Sequence, residues 1–191
     1  MANKVKYNLK NTHYAKITVG EDGKVTFVKP VPIPGSVSLA LDAQGDITPF
    51  YADGIVYYKS AANNGYEGDL EIALVPESFR IDILAEKLDS KKVLIENSDA
   101  KASSFALLFE FDGDEKAIRH VLYNCVSTRP SLESQTKEDT IEPVTETLTI
   151  SATPLANGNV KARTGNETDP VAYSGWYDAV YEPTTETEPE E

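Results

Sequence analysis

A chain of 191 residues with a net charge of −13 can bury a core of its own, and its single cysteine excludes an intrachain disulfide framework. The acidic balance excludes a nucleic-acid binder, because neutralising phosphates takes clustered Lys and Arg and the longest basic cluster is Lys91-Lys92. No segment reaches membrane-span length and the opening MANKVKYNLKNTHYAKITV has no apolar run of signal-peptide size, so the sequence reads as soluble and kept in a reducing cytoplasm.

The dominant period along the chain is two, the period of strands. Strands are predicted at Thr12 to Val19 and Lys24 to Val28, with Val19-Gly20-Glu21-Asp22-Gly23 as the hairpin turn between them. Further strands follow at Ser36 to Leu41 and Gly54 to Lys59. Tyr66 to Leu74 alternates cleanly: Tyr66, Gly68, Leu70, Ile72 and Leu74 make a core face, and Glu67, Asp69 and Glu71 a wet, acidic one. Pro76 suits a first helical position, Glu77 favours the positive end of the helix dipole, and Phe79, Ile83, Leu84 and Leu88 recur at helical spacing. That spacing predicts one three-turn helix flanking a β body. Ser103 to Asp112 and Lys116 to Thr128 form the clearest hairpin, turning at Asp112-Gly113-Asp114-Glu115. Its first arm, FALLFEF, is apolar on both faces and is therefore placed centrally. Val144 to Ala152 and a short Gly158 to Arg163 complete the strands. Ser174 to Tyr181 reads as a weaker helix on which Trp176, Tyr177, Val180 and Tyr181 share a face.

Two stretches do not read as ordinary connections. The segment 42–65 is long for a loop, yet it carries Phe50, Tyr51, Tyr57 and Tyr58 among other apolar residues. An arm that buries itself on a neighbouring molecule accounts for this composition. The alternative is that Ile55 to Lys59 is one more strand of the same domain. After Arg163 there is no further Lys or Arg. Residues 166–183 read as a C-terminal arm whose Trp176, Tyr177 and Tyr181 form an aromatic patch in want of a partner surface. Residues 184–191, rich in Glu, Thr and Pro, read as a disordered acidic tail. Residues 1–165 then form the β domain.

Catalytic chemistry finds little to stand on. The only histidines are His13 and His120, and neither sits in a metal-binding pattern. Cys125 lies within a predicted strand with no basic neighbour to make it a thiolate, so it reads as a buried, inert thiol. The acidic turn at Asp112 lacks the remaining ligands of a calcium loop. Glu67, Asp69 and Glu71 are a carboxylate set without a sugar platform, since Trp176 is the only tryptophan and is remote in sequence. No enzyme activity, cofactor or metal is expected.

Six segments, in this order, resemble the major tail proteins of bacteriophages with long non-contractile tails. They are YNLKNTHYAKIT, PVPIPGSVSLALDAQGDITPFYADGIVYY, NNGYEGDLEIALVPESFR, ALLFEFDGDEKAIRHVLYNCVSTRPS, EPVTETLTISATP and WYDAVYEP. The resemblance runs from Lys4 to Pro183 and implies a β-sandwich or partly open β-barrel with one flanking helix. It implies hexameric rings that stack into a tail tube, assembled in the host bacterial cytoplasm and incorporated in the virion. Its partners would be other copies of the chain, the tape-measure protein and tail-end proteins, with DNA passing through unbound. Phe50, Tyr51, Tyr57 and Tyr58 are then the stacking arm. Glu67, Asp69 and Glu71 face either the lumen or the exterior, the lumen being preferred. A monomeric β-sandwich adhesion or binding module is the alternative function.

Overall fold

In the computed structural model, which describes residues 3–20, 23–136 and 143–184, two asparagines shape the first strand, β1 (Lys6–Val19). Asn8 and Asn11 adopt left-handed backbone angles, φ 53° and 52°, a conformation asparagine tolerates better than most side chains. β1 pairs antiparallel with a later strand, and its two register shifts fall at these asparagines. Their side-chain amides donate to Asp112 and Glu110, each at 2.8 Å. Such bulges bend and coil a strand. β1 therefore starts earlier than the predicted Thr12 and sends Tyr14 into one core and Ala15 into another.

The strands that follow are β2 (Val25–Phe27), β3 (Val31–Pro32), β4 (Ser36–Gln44), β5 (Ile47–Ala52), β6 (Ile55–Ala61) and β7 (Gly65–Ile72). Helix α1 (Glu77–Asp82) and the short strands β8 (Lys87–Leu88) and β9 (Leu94–Ile95) come next, then β10 (Phe105–Gly113), β11 (Ile118–Ser127), β12 (Glu146–Ala152) and β13 (Lys161–Arg163). The main sheet runs β2-β1-β10-β11-β12-β7-β4, with β3 joined to β1 and β13 to β11. It does not close on itself, although β1 approaches β4. The architecture is mainly β with a flanking helix, as expected, and its large unclosed antiparallel sheet fits the β-sandwich or partly open barrel. β10 is central, as its two apolar faces required, and Phe105 to Glu110 are all buried.

One core lies on one face of the sheet, where Tyr14, Phe79, Phe105, Leu107, Leu70 and Ile150 meet. Phe79 stands edge-on to both Tyr14 and Phe105, at ring distances of 5.2 and 5.4 Å, the geometry the ring quadrupoles favour. The second core lies behind the sheet, where Trp176 and Val180 cover Ala106, Leu108, Val121 and Tyr123.

Several sequence expectations are corrected. Pro76 is the N-cap residue, with extended ψ 146°, not the first helical residue, and the helix has six residues rather than three turns. It stops because Ala85 takes a left-handed φ of 60° while Glu86 N–H reaches back to the Arg80 carbonyl. Leu88 consequently lies in β8 rather than on the helix face. Leu74 falls beyond the end of β7 and is exposed, not in the core. The predicted helix at Ser174 to Tyr181 is displaced to α2 (Pro170–Ser174), capped by the Asp169 carboxylate, followed by one 3-10 turn at Gly175–Tyr177. The acidic tail, apart from Thr184, and the Glu21-Asp22 part of the first turn lie outside the described residues.

Candidate assembly surfaces

β4 and β7 pair along their whole length and continue into β5 and β6, which among the described residues pair only with each other. The segment 42–65 is therefore the distal half of one long hairpin that leaves the sheet. Asp53 and Gly54 turn it with φ 53° and 77°, the type I′ geometry that matches strand twist. Ile55 to Ala61 is indeed a strand, but of this separate two-stranded sheet. Where the ribbon departs, Gly45 has φ 143°, and a Cβ there would lie 2.0 Å from the Ala62 carbonyl oxygen. Only glycine lets the two strands approach at that root.

Among the described residues nothing covers this hairpin. Phe50, Tyr51, Tyr57 and Tyr58 are 60%, 64%, 71% and 62% exposed, and Ile47 and Ile55 are exposed beside them. Phe50 pairs across to Tyr58 and Tyr51 to Val56. Neighbouring cross-strand pairs point to opposite sides of a ribbon, so both faces of the arm are apolar. Two-stranded ribbons are marginally stable alone in water, and a soluble monomer rarely leaves such a surface bare.

Glu67, Asp69 and Glu71 share one face of β7, opposite Leu70 and Ile72. The sheet surrounds them with hydroxyls. Thr145 and Ser38 donate to the Glu71 carboxylate at 2.6 and 2.8 Å, and Thr149 donates to Asp69 at 2.9 Å. The Thr145 and Ser38 hydroxyls hold the Glu71 pKa below the usual carboxylate value. Asp42 of β4 lies opposite Glu67. No ion pair among the described residues involves these carboxylates. The face is acidic and set beside the root of the arm.

The C-terminal aromatics have a partner, and it is the chain's own sheet. Trp176 is buried, its indole N–H donates to the His120 carbonyl at 3.3 Å, and its ring stacks on Tyr181 at 5.5 Å. The Tyr123 hydroxyl donates to the Tyr181 carbonyl at 2.9 Å, and the Tyr177 ring packs 4.6 Å from His13. The fastening that sequence reading missed is Glu110, 3% exposed in the middle of β10. Its carboxylate receives Arg119 Nε at 3.0 Å and the Tyr177 hydroxyl at 3.4 Å, while Arg119 also donates to the Tyr173 carbonyl and lies over the Tyr173 ring. The signal available was the one charge inside FALLFEF, facing an arginine across the hairpin.

The other candidate residues are structural. Cys125 is buried and burial pushes its thiol up to about 12. His120 stacks on Phe109 at 5.0 Å, and burial, with Lys161, Arg163 and Lys6 nearby, lowers its pKa to about 4. The turn at Asp112 holds the N-terminal strand: Asp114 accepts the Lys4 N–H at 2.8 Å, and Asn3 accepts the Glu115 and Lys116 N–H groups at 3.0 Å.

The family model described as phage tail tube protein matches residues 2–179 of the chain. No curated protein matches it. Among solved structures it is similar to the cryo-EM structure of the anti-feeding prophage cap, a tube terminating cap. That likeness has 11% identity and a TM-score of 0.44, covering 84% of this chain and 93% of that one.

Proposed function

Since the chain belongs to the phage tail tube protein family, a structural component of phage tails, we propose that its copies form hexameric rings that stack into the tube through which DNA enters the host. The observation that carries this reading is the bare aromatic hairpin of β5 and β6. An apolar arm projecting about 20 Å from the sheet, by strand rise over six residues, needs a second molecule to bury it. β4 supports lateral association as well, because among the described residues it is the last strand on its side of the sheet and pairs only β7. An unpaired edge is a template for a neighbouring chain. Rings joined this way give a barrel of many strands, and barrels of about 16–18 strands already hold an aqueous channel.

Glu67, Asp69 and Glu71 then line the lumen, where repeated carboxylates keep DNA from adhering. At physiological salt their repulsion reaches about 8 Å, enough to centre the duplex and too short to stop it. Assembly takes place in the host bacterial cytoplasm, with the tape-measure and tail-end proteins as further partners.

Negative-stain electron microscopy of the purified protein at rising concentration tests this. Rings or tubes are expected, and added salt should promote them by screening the repulsion between acidic subunits. A protein that stays monomeric throughout is instead a binding module, and tubes that salt dissolves are held by ionic contacts rather than by the arm.

A further inference from the structure

A groove of about 360 Å³ opens at the opposite end of β4 from the arm, between β1 and the turn into β4. Leu9, Thr12, His13, Pro32, Ile33 and Pro34 contribute to its lining. Thr12 is 3% exposed, and its Oγ1 is buried without a hydrogen-bond partner. A buried hydroxyl left unpaired costs stability unless something supplies its hydrogen bond. Lys10 and His13 also border it, and the Lys10 ammonium is already paired with Asp112 at 2.5 Å and Glu110 at 3.8 Å.

We propose that this groove receives the tip of the β5–β6 hairpin of a second copy. The proposal rests on the stacked-ring reading and names the acceptor of the arm. The groove asks for an apolar body with a hydrogen-bonding end. Tyr51 and Tyr57, close to the turn at Asp53 and Gly54, have that amphipathic form. The chain cannot fill its own groove. Ser36 borders the groove and Asp53 tips the arm, and the strands between them, Ser36–Gln44 and Ile47–Ala52, extend away from the groove over about 50 Å at 3.3 Å per residue. Tip and groove are different surfaces at opposite ends of one ribbon. Their contact is head-to-tail, and such a contact, repeated without closing, stacks copies along an axis.

Two variants test the docking. With Pro34→Cys and Asp53→Cys in one chain, mild oxidation of assembled tubes should give a ladder of covalent multimers, whereas either single variant should give none beyond dimers. Cys125 is buried and does not compete. Thr12→Val should leave the melting temperature of the monomer unchanged or raise it, because it deletes an unsatisfied hydroxyl. It should nevertheless raise the concentration needed for assembly about tenfold, the loss of one buried hydrogen bond. Tubes that give no ladder, with Thr12→Val assembling normally, overturn the docking and leave the stacked rings standing. If the cysteine pair fails to assemble, normal assembly of Thr12→Val alone overturns it. A wild-type protein that forms no tubes overturns the ring reading and the docking together.

Discussion

Replacing Phe50, Tyr51, Tyr57 and Tyr58 together with serine separates folding from assembly, because these side chains contribute almost nothing to the fold and most of the arm's apolar surface. A buried aromatic removes about 150–250 Å² from water. At exposures of 60–71%, the four leave about 500 Å² available to a partner. At about 25 cal/mol per Å² this amounts to about 12 kcal/mol per arm. Much of that is consumed by ordering and desolvation, yet a surviving third, about 4 kcal/mol, is about a thousandfold in the concentration needed for assembly. The monomer should melt within about 3 °C of wild type, the change expected for exposed positions of a chain this size. Thermal melting by circular dichroism and sedimentation velocity read the two halves independently. A melting temperature lowered by 10 °C or more makes these side chains intramolecular, and tubes that form at the wild-type concentration remove the arm from the contact. Either result refutes the reasoning.

Changing Glu67, Asp69 and Glu71 to lysine should permit tube assembly but slow or block DNA ejection, measured on reconstituted tails; unchanged ejection and infectivity place this face on the exterior. Glu110→Gln should cost about 3 kcal/mol, since it leaves the Arg119 guanidinium without its buried counter-charge. Trp176, the only tryptophan, should then shift its emission to the red as the C-terminal segment loosens; unaltered emission and melting would mean Arg119 alone fastens it. His120 predicts a loss of stability on acidification. Its folded pKa of about 4 lies below the ordinary histidine value of 6.5, so between those values the unfolded chain binds a proton that the folded one refuses. The loss should reach about 2 kcal/mol for this half-buried ring, with little further change from this residue below pH 4. Denaturant melts of the wild type against His120→Phe isolate it, and parallel pH profiles would discount it.

The strand pattern was legible because it is local. Alternation along Tyr66 to Ile72, the two apolar faces of FALLFEF and the Asp-Gly turns act through neighbouring residues, and they fixed strand positions, the central place of β10 and the acidic face of β7. Helix length was less legible. Apolar spacing carries on to Leu88, whereas the helix ends at Asp82, and the left-handed turn at Ala85 lets the Glu86 N–H reach back to the Arg80 carbonyl. The two bulges of β1 could not be anticipated either, since the partners that fix Asn8 and Asn11 in the left-handed conformation, Asp112 and Glu110, lie far away in the sequence.

The sequence by itself determined that this is an acidic β protein with two aromatic stretches too apolar for solvent. It could not say which of them was already covered. Tyr57 and Trp176 are alike in size and hydrophobicity, yet Tyr57 is 71% exposed and Trp176 3%. The difference lies in what the distant chain offers. The back of β10 and β11 provides Leu108, Val121 and Tyr123 as a bed, with Glu110 and Arg119 as a clasp, and the C-terminal segment lies down on it. Among the described residues no strand reaches past Gln44 and Gly65 to cover the arm. Burial depends on contacts between residues far apart in the chain, so only the tertiary structure could tell the covered aromatic surface from the one left for another molecule.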